Sequence, residues 1–377
     1  MFPKVFVMLL VAGTFAACNS NRMLQSKTEE TMDSTETQEE PMVNHHIVMV
    51  GDIMMGTTFP EEKLPPDDGE YLFRDVKGIL SGADIALGNL EGPLCDTTVV
   101  LTKEMDEMKY AFRTPPSYAR WLKEAGLDFL SMANNHVHDF GWEGIVATEE
   151  ALKEQGIAFA GVKGRTESVV VQRKGVRYGI CAFGHNYYTV QHNDSTQLLR
   201  AAMIIRKLRN EADIVIVSIH GGGEGTEFQH IPEGTEMFYG EKRGFLRKFT
   251  HFCIDNGADI VFGHGPHVVR ALELYKDRLI AYSLGNFCTM AGINVQGISG
   301  LAPILEAVVD ERGRFVKGEI HSFRQTYNSG PKPDEKGGAA LMMRQLTEED
   351  FPNGKIVIDE KGNIKKLPDS GKFFFSF

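Results

Sequence analysis

Five short apolar runs in this sequence each end at residues whose side chains can bind a metal ion. The runs are separated by segments with helical periodicity, a pattern that predicts strands alternating with helices in βαβ units. Ligands of such folds bind at the carboxyl ends of the strands, where the connecting loops meet. We therefore expect these residues to share one crevice. They are Asp52 after residues 47–50, Glu91 after residues 85–87, Asn135 after residues 129–132, His220 after residues 214–219, and His264 with His267 after residues 260–262.

These six side chains combine carboxylate, amide and imidazole groups, which together suit hard-to-borderline divalent cations. Each group alone has an ordinary explanation. An Asp after a strand often caps a helix, Asn134 and Asn135 are common turn residues, and a single His is usually structural. The repetition of the pattern at five strand ends favours one shared site. We predict one or two divalent ions there, with Mn, Zn, Fe and Mg all left open.

Strand and helix patterns alternate in the first part of the chain, and hairpins dominate the second part. This order predicts an α/β fold with one mixed sheet, or two packed sheets, and helices outside. Residues 325–340 are rich in Gly, Pro, Lys and Ser and are predicted to form a loop. The predicted helices are 73–80, 115–125, 143–155, 198–210 and 241–256, the single strands are 47–50, 84–87, 127–132, 213–219 and 259–262, and the hairpins are 169–183, 271–284, 304–323 and 355–366.

The N-terminus has the pattern of a secretory signal, with Lys4, a short apolar core and small residues that end at Cys18. The Ala-Ala-Cys ending resembles a bacterial lipoprotein signal, in which the Cys becomes the lipidated first residue. Cleavage without a lipid is the alternative. We predict an exported, membrane-attached lipoprotein of the bacterial cell envelope. Its parts would be a signal peptide (1–18), a disordered tether (19–44), a main domain (45–345) and a C-terminal extension packed on that domain (346–377).

The charge balance restricts the class of partner. A formal net charge of −11 argues against nucleic acid, which needs a clustered basic surface. An anionic substrate stays compatible, because a bound metal ion supplies local positive charge. Four further cysteines lack metal-type or redox-type spacing and are expected to be buried small hydrophobes, although an exported protein could pair two of them. They are Cys95, Cys181, Cys253 and Cys288.

Six short motifs occur in order between about residues 46 and 325. They are Gly51-Asp52-Ile53-Met54-Met55-Gly56, Asn89-Leu90-Glu91-Gly92-Pro93, Phe112-Arg113-Thr114-Pro115-Pro116, Ala133-Asn134-Asn135-His136, Gly263-His264-Gly265-Pro266-His267 and Tyr282-Ser283-Leu284-Gly285-Asn286-Phe287. These motifs are similar to those of the CapA family, the bacterial capsule or poly-γ-glutamate synthesis proteins. The resemblance implies a calcineurin-like metallophosphoesterase fold, which is a four-layer αββα sandwich of two mixed sheets with a dinuclear metal centre.

The resemblance also implies a role for each site residue. Asp52 would be the ligand of the first motif, and Glu91 would stand where a bridging Asp is usual. Asn135 would bind the second metal, and His136 beside it would be the catalytic acid that protonates the leaving group. His220, His264 and His267 would complete the ligand set, and the candidate substrate contacts are Asn89, Asn134, Arg113 and Glu224.

Two departures separate the chain from ordinary phosphoesterases. Met54 stands where those enzymes have a His, and His264 and His267 are three residues apart instead of two. The leading hypothesis is an envelope hydrolase of surface-polymer metabolism, in which a metal-activated water attacks an anionic polymer or a phosphoester-type substrate. The alternative is a non-catalytic protein that binds a polyanion, or a capsule-synthase membrane protein, during export or anchoring. A lipid-anchored structural protein without a site is a third option.

Overall fold

The computed structural model describes residues 43–106, 109–290 and 292–368. The predicted signal peptide, with Cys18, and nearly all of the predicted tether lie outside this part. The described helices are α1 (Lys77–Gly82), α2 (Ala119–Ala125), α3 (Gly141–Glu154), α4 (Leu198–Glu211), α5 (Leu246–Asp255) and α6 (Gly338–Asp350). The described strands are β1 (Asn44–Met54), β2 (Ile85–Leu90), β3 (Phe129–Ser131), β4 (Ala158–Ala160), β5 (Ser168–Arg173), β6 (Val176–Phe183), β7 (Ile214–His220), β8 (Glu236–Phe238), β9 (Glu241–Gly244), β10 (Ile260–His264), β11 (Leu272–Tyr275), β12 (Arg278–Ala281), β13 (Asn286–Thr289), β14 (Ile304–Asp310), β15 (Phe315–His321), β16 (Phe323–Arg324), β17 (Lys332–Pro333), β18 (Ile356–Ile358) and β19 (Asn363–Lys366).

Most of these strands belong to two mixed sheets. The larger sheet has nine strands, of which eight follow the order β18-β19-β15-β14-β1-β2-β3-β4 while β13 pairs with β1. The smaller sheet has six strands in the order β11-β12-β10-β7-β6-β5. Each sheet contains a parallel run, β1 to β4 in the larger and β6-β7-β10-β12 in the smaller, with antiparallel strands beside it.

The alternation of side chains along a strand places the two sheets face to face. In β1, Ile47 and Met49 join the core that includes the smaller sheet, whereas Val48 and Val50 join a second core with α1, α2 and α3. Helices α4 and α5 pack on the smaller sheet. The layers are therefore helices, sheet, sheet and helices, which confirms the predicted α/β class of two packed mixed sheets.

The four predicted hairpins are confirmed. Strands β5 and β6, β11 and β12, β14 and β15, and β18 and β19 each pair antiparallel. Two of the turns have both central residues in the left-handed region, with φ values of 46° and 85° at Lys174-Gly175 and of 49° and 62° at Lys276-Asp277. Two-residue hairpin turns prefer this conformation because it matches the twist of the strands.

Other predicted elements are wrong in part. The helix predicted at 241–256 begins only at Leu246, because Glu241–Gly244 forms β9 and pairs with β8 across Tyr239-Gly240. Helix α1 begins at Lys77 and not at residue 73. Helix α6 begins inside the segment that was expected to be a loop, and β13 is a strand that no sequence pattern indicates.

The C-terminal part of the described chain is continuous with the rest of the fold. The boundary predicted at residue 345 lies within α6, and β18 and β19 extend the larger sheet beyond β15. The division of the chain into domains stays a prediction. Within the described part, no helix has the length and apolar character needed to cross a membrane. The four described cysteines are buried and free, as expected of small hydrophobes.

Candidate metal centre

Four parallel strands, two from each sheet, bring the predicted ligands together. In the larger sheet, Asp52 of β1 pairs with Asn89 of β2, which lies two residues before Glu91. In the smaller sheet, His220 of β7 pairs with His264 of β10. Strands β1 and β10 contact each other across the two sheets, so the carboxyl ends of these strands meet at one place.

Asp52, His220 and His264 form the middle of this site. One potential ligand atom from each lies within 4.8 Å of the other two, and all three side chains are buried. The Nδ1 atoms of His220 and His264 are 2.9 Å apart, and His264 Nδ1 is 3.8 Å from Asp52 Oδ1. Three donor atoms therefore surround a common point.

The two imidazoles are neutral, and their Nδ1 atoms point at the same place. His220 Nε2 is 2.7 Å from Asn135 Oδ1, and because an amide oxygen only accepts, the proton of His220 lies on Nε2. His264 Nε2 is 2.7 Å from Ser218 Oγ, which can accept the proton of the second ring. Burial lowers the pKa of His264 to about 4, and burial together with the charge of His264 holds the pKa of His220 well below its usual range. Neutral imidazole is the form that binds metal.

Glu91 adds a buried carboxylate to these donors. Its Oε2 lies 3.7 Å from His220 Nδ1, and its Oε1 has no hydrogen-bond partner among the described residues. Burial, followed by the charge of Asp52, raises the pKa of Glu91 well above its usual range. A buried carboxylate with one oxygen unpartnered is unfavourable unless a cation lies nearby. These residues therefore fit a divalent ion.

His267 contacts the second oxygen of Asp52, with 3.0 Å between Nδ1 and Oδ2. Its backbone has a φ of 58°, which is uncommon for a residue other than glycine. Burial alone would raise the pKa of Asp52, but the hydrogen bond and charge of His267 outweigh it and lower that pKa. Burial likewise opposes the protonation of His267, yet the bond to Asp52 raises its pKa to about 10. A bound divalent cation would replace the His267 proton as the positive charge that stabilises the Asp52 carboxylate.

Met54 lies two residues after Asp52, where ordinary phosphoesterases carry a His. Its side chain is buried, and its Sδ accepts a hydrogen bond from the Gly56 N–H at 3.4 Å. This side of the centre therefore has one imidazole fewer than a standard dinuclear site. The six predicted ligands nevertheless form one connected set of contacts, while their binding of metal stays a prediction.

His136 lies beside the centre and is held by a carboxylate that the sequence reading missed. Its Nδ1 is 2.7 Å from Asp139 Oδ2, and its Nε2 is 3.9 Å from Glu91 Oε1. Lys103 Nζ lies 2.7 Å from the other oxygen of Asp139. Burial, followed by the charge of Lys103, lowers the pKa of His136. An acid three residues after the His, in the same loop, is the sequence feature that could have identified this pair.

Asn89 and Asn134 hold the two carboxylates in place. Asn89 Nδ2 donates to Asp52 Oδ1 at 2.8 Å and to Glu91 Oε2 at 2.6 Å. Asn134 Nδ2 donates to Asn89 Oδ1 at 3.1 Å and to the Leu90 carbonyl oxygen at 2.7 Å. Both side chains are buried. The structure gives them a positioning role, and their role as substrate contacts stays a prediction.

Arg113 and Glu224 occupy different environments. The Arg113 guanidinium is buried and donates to three backbone carbonyl groups and to Thr58 Oγ1. Glu224 accepts a hydrogen bond from Arg243 at 2.7 Å, and its charge contributes to the raised pKa values of Glu91 and His267. Glu224 therefore lies near the centre, and the substrate-binding role of both residues stays a prediction.

Two further histidines hold the backbone of His220. His185 Nδ1 and His192 Nε2 lie 3.3 Å and 2.9 Å from the His220 carbonyl oxygen. Burial lowers the pKa of His185 to about 3 and that of His192 to about 4, so both rings are neutral donors. They belong to the loop after β6 and follow no repeated pattern, which is why the sequence did not point to them.

Comparison with known proteins shows the family of this chain. The family model of the bacterial capsule synthesis protein PGA_cap matches residues 46–290. The chain belongs to this family. The resemblance to CapA proteins that rests on the short motifs is thereby confirmed.

Two relatives illustrate how far the family likeness extends. Capsule biosynthesis protein CapA of Bacillus anthracis is 28% identical over 256 residues, which cover 64% of this chain and 59% of that relative. PGA biosynthesis protein CapA of Bacillus subtilis (strain 168) is 27% identical over 250 residues, which cover 63% of this chain and 61% of that relative. The match thus spans about three fifths of each relative. Among solved structures, a phosphatase of Mycoplasma pneumoniae is similar with a TM-score of 0.46 and 14% identity, over 76% of this chain and 96% of that chain.

Proposed function

We propose that this family member is an envelope-anchored, metal-dependent hydrolase of capsule, poly-γ-glutamate or related surface-polymer metabolism. The observation that carries the proposal is the position of the His136–Asp139 pair, whose free ring nitrogen lies 3.9 Å from Glu91 Oε1 at the edge of the centre. A protein that only holds metal does not need an oriented, buried imidazole beside it. A bound divalent ion would supply an activated water and neutralise an anionic group of the substrate.

The residues around His136 prepare it to transfer a proton. Asp139 accepts the Nδ1 hydrogen bond, which directs Nε2 toward the centre, and it stabilises the protonated ring. Burial and the charge of Lys103 act against protonation and lower the pKa of His136. The opposing effects favour a ring that, once protonated, gives up its Nε2 proton readily, as a general acid for the leaving oxygen must.

Turnover by the purified protein tests the proposal. The protein is loaded in turn with Mn²⁺, Zn²⁺, Fe²⁺ and Mg²⁺ and assayed on bis-p-nitrophenyl phosphate and on poly-γ-glutamate. We expect hydrolysis of one of them that EDTA abolishes and that His136→Gln lowers without loss of bound metal. His230→Gln is the matched control, because His230 is exposed and pairs with Asp350. Bound metal without turnover of either substrate would contradict the hydrolase.

A non-catalytic, polyanion-binding protein of capsule export or anchoring is the second candidate. The observation that favours it is Met54, which removes an imidazole from one side of the centre. In that case the loaded protein would retain poly-γ-glutamate in a metal-dependent way without shortening it. The same assay therefore separates the two functions by the length of the recovered polymer.

A further inference from the structure

An aromatic surface lies next to the loop that carries His136 and takes no part in the metal centre. Two of its rings follow His136 along the chain, and the other two belong to the loop after β6. Asn186 joins the segments, because its Nδ2 donates to the Asn134 carbonyl oxygen at 2.6 Å. We call this surface the aromatic platform, which consists of His138, Trp142, Tyr187 and Tyr188.

The four rings are in continuous contact. His138 and Tyr188 stack with their centroids 3.6 Å apart and their planes 4° apart. Trp142 stands edge-on to both, at 5.6 Å from His138 and 6.0 Å from Tyr188. Tyr187 stands edge-on to Tyr188 at 5.4 Å. His136, the proposed acid, has an aromatic neighbour of its own, because its ring centroid lies 4.4 Å from that of Phe112.

The outer rings of the platform are directed to solvent instead of the core. Trp142 is 49% exposed and Tyr187 is 71% exposed. Single exposed apolar residues are common, but a contiguous group of aromatic rings marks a binding surface. The polar atoms at the rim, Trp142 Nε1 and the hydroxyl groups of Tyr187 and Tyr188, make no hydrogen bond with other described residues. On the exposed Trp142 and Tyr187 these polar atoms are available to a ligand, whereas Tyr188 is half-buried and packs against the core.

The platform carries little charge. Burial lowers the pKa of His138, so this ring is neutral at neutral pH. The cation that touches the platform is Lys163, whose Nζ lies 4.2 Å from the Tyr187 ring centroid. The metal centre beside it is suited to an anionic group. The two surfaces together suit a ligand that joins one anionic group to an uncharged neighbour with an apolar face.

We propose that the aromatic platform binds a sugar ring, and that the substrate class of the centre is a phosphate-linked glycan. A pyranose has an apolar C–H face, which packs on aromatic rings, and a rim of hydroxyl groups, which the free N–H and O–H groups of the platform can bond. A chain of carboxylates would need more cations than Lys163. A nucleobase is the competing occupant of these rings, and the binding test below distinguishes it from a sugar. This inference rests on the proposed function in one respect only, which is that the phosphate group binds at the metal centre.

The fluorescence of Trp142 reports the binding of a ligand to the platform. The sequence has two Trp residues, and Trp121→Phe leaves Trp142 as the fluorophore in the metal-loaded, full-length protein. We expect glucose 1-phosphate to quench its emission and to bind at least about tenfold more tightly than inorganic phosphate, a gain of about 1.4 kcal/mol from the contact between the sugar and the rings. Tighter binding and stronger quenching by uridine monophosphate would assign the platform to a nucleobase and overturn the proposal.

Substitutions in the aromatic platform test whether its rings cause the tenfold gain in affinity. By calorimetry, Trp142→Ala and Tyr187→Ala should each remove most of the tenfold gain while the affinity for inorganic phosphate stays within twofold. Tyr327→Ala is the matched control, because Tyr327 is 51% exposed and lies outside the platform. Unchanged sugar-phosphate affinity in both platform variants would contradict the inference.

The outcomes also separate this inference from the proposed function. If the gain for glucose 1-phosphate is found but no substrate is hydrolysed, the hydrolase is wrong and the sugar-binding platform stands. If bis-p-nitrophenyl phosphate is hydrolysed but the sugar adds nothing to phosphate binding, the platform is wrong and the hydrolase stands.

Discussion

Two neutral imidazoles and two buried carboxylates meet in one place, and one of the carboxylate oxygens, Glu91 Oε1, has no hydrogen-bond partner within the described chain. The Nδ1 atoms of His220 and His264 face each other across 2.9 Å beside that oxygen. In water these groups would be solvated, and burying them without compensation is costly. This cluster of buried polar groups is therefore the strongest argument for a bound cation.

Removal of a ligand tests this argument. Asp52→Asn and His264→Ala should each weaken metal binding by more than about 100-fold, because even the outer partners of metal ligands are worth 10–100-fold. Metal content after gel filtration and the rise in melting temperature with added Mn²⁺ or Zn²⁺ measure the loss. His230→Ala, at an exposed ion pair, should leave both unchanged. Unaltered metal content in Asp52→Asn and His264→Ala would refute the ligand assignment.

The bond between Asp139 and His136 has a separate test. Asp139→Asn should lower turnover of an alkyl phosphodiester by about 100-fold, but turnover of a p-nitrophenyl ester far less, because a good leaving group needs little protonation. A purely structural role would lower both rates equally. Asp194→Asn, at an exposed turn that bonds Thr196, is the control. The readout is the ratio of kcat values for the two substrates.

At the scale of elements, local patterns predict most of the fold and long-range pairing explains the misses. The hairpin turns at Lys174-Gly175 and Lys276-Asp277 are encoded by neighbouring residues, and these predictions are confirmed. Strand β13 pairs with β1, more than 230 residues earlier in the chain, and such pairing leaves no local pattern. Glu241-Lys242-Arg243 has the composition of a helix start, but β8 draws it into a ladder, since tertiary context overrides propensity.

The same distinction applies to the site. The strand-end residues could be predicted because an α/β fold brings the carboxyl ends of its parallel strands together. Residues that repeat at those ends therefore meet in one place. Asp139, His185 and His192 could not, because their roles depend on which loops meet. His185 and His192, for example, bond a carbonyl group of β7 from a loop about 30 residues away.

The β8–β9 hairpin is fixed to the smaller sheet's loops by a buried ion pair, which can be tested by stability. Arg270 and Glu236 are 0% and 3% exposed and lie 2.7 Å apart. Arg270→Met should lower the free energy of unfolding by about 3–5 kcal/mol, because it leaves the Glu236 charge buried and unpaired. Adding Glu236→Gln should recover much of this loss. Lys276→Met, which breaks an exposed pair with Asp255, should change stability by less than about 1 kcal/mol. Equal losses at both pairs in urea unfolding would contradict the assignment.

For the whole molecule, attachment to the envelope is the prediction that residues 1–18 make. We expect the full-length protein expressed in a bacterial host to sediment with membranes, to be released by detergent and not by salt, and to incorporate labelled fatty acid. Cys18→Ser should move it to the soluble exported fraction, and Ser20→Ala should not. Membrane association that persists without label in Cys18→Ser would rule out a lipid on this residue.

The predicted ligands are spread along the chain from Asp52 to His267, so the centre can form only after distant parts of the chain have come together. No short piece of the nascent chain contains it, and an unfolded chain holds these groups far apart. Metal choice by proteins depends heavily on which ions are available where the site forms. If the chain is exported before it folds, as residues 1–18 predict, the ion would be selected outside the cytoplasm, from the pool of the compartment in which the protein would work.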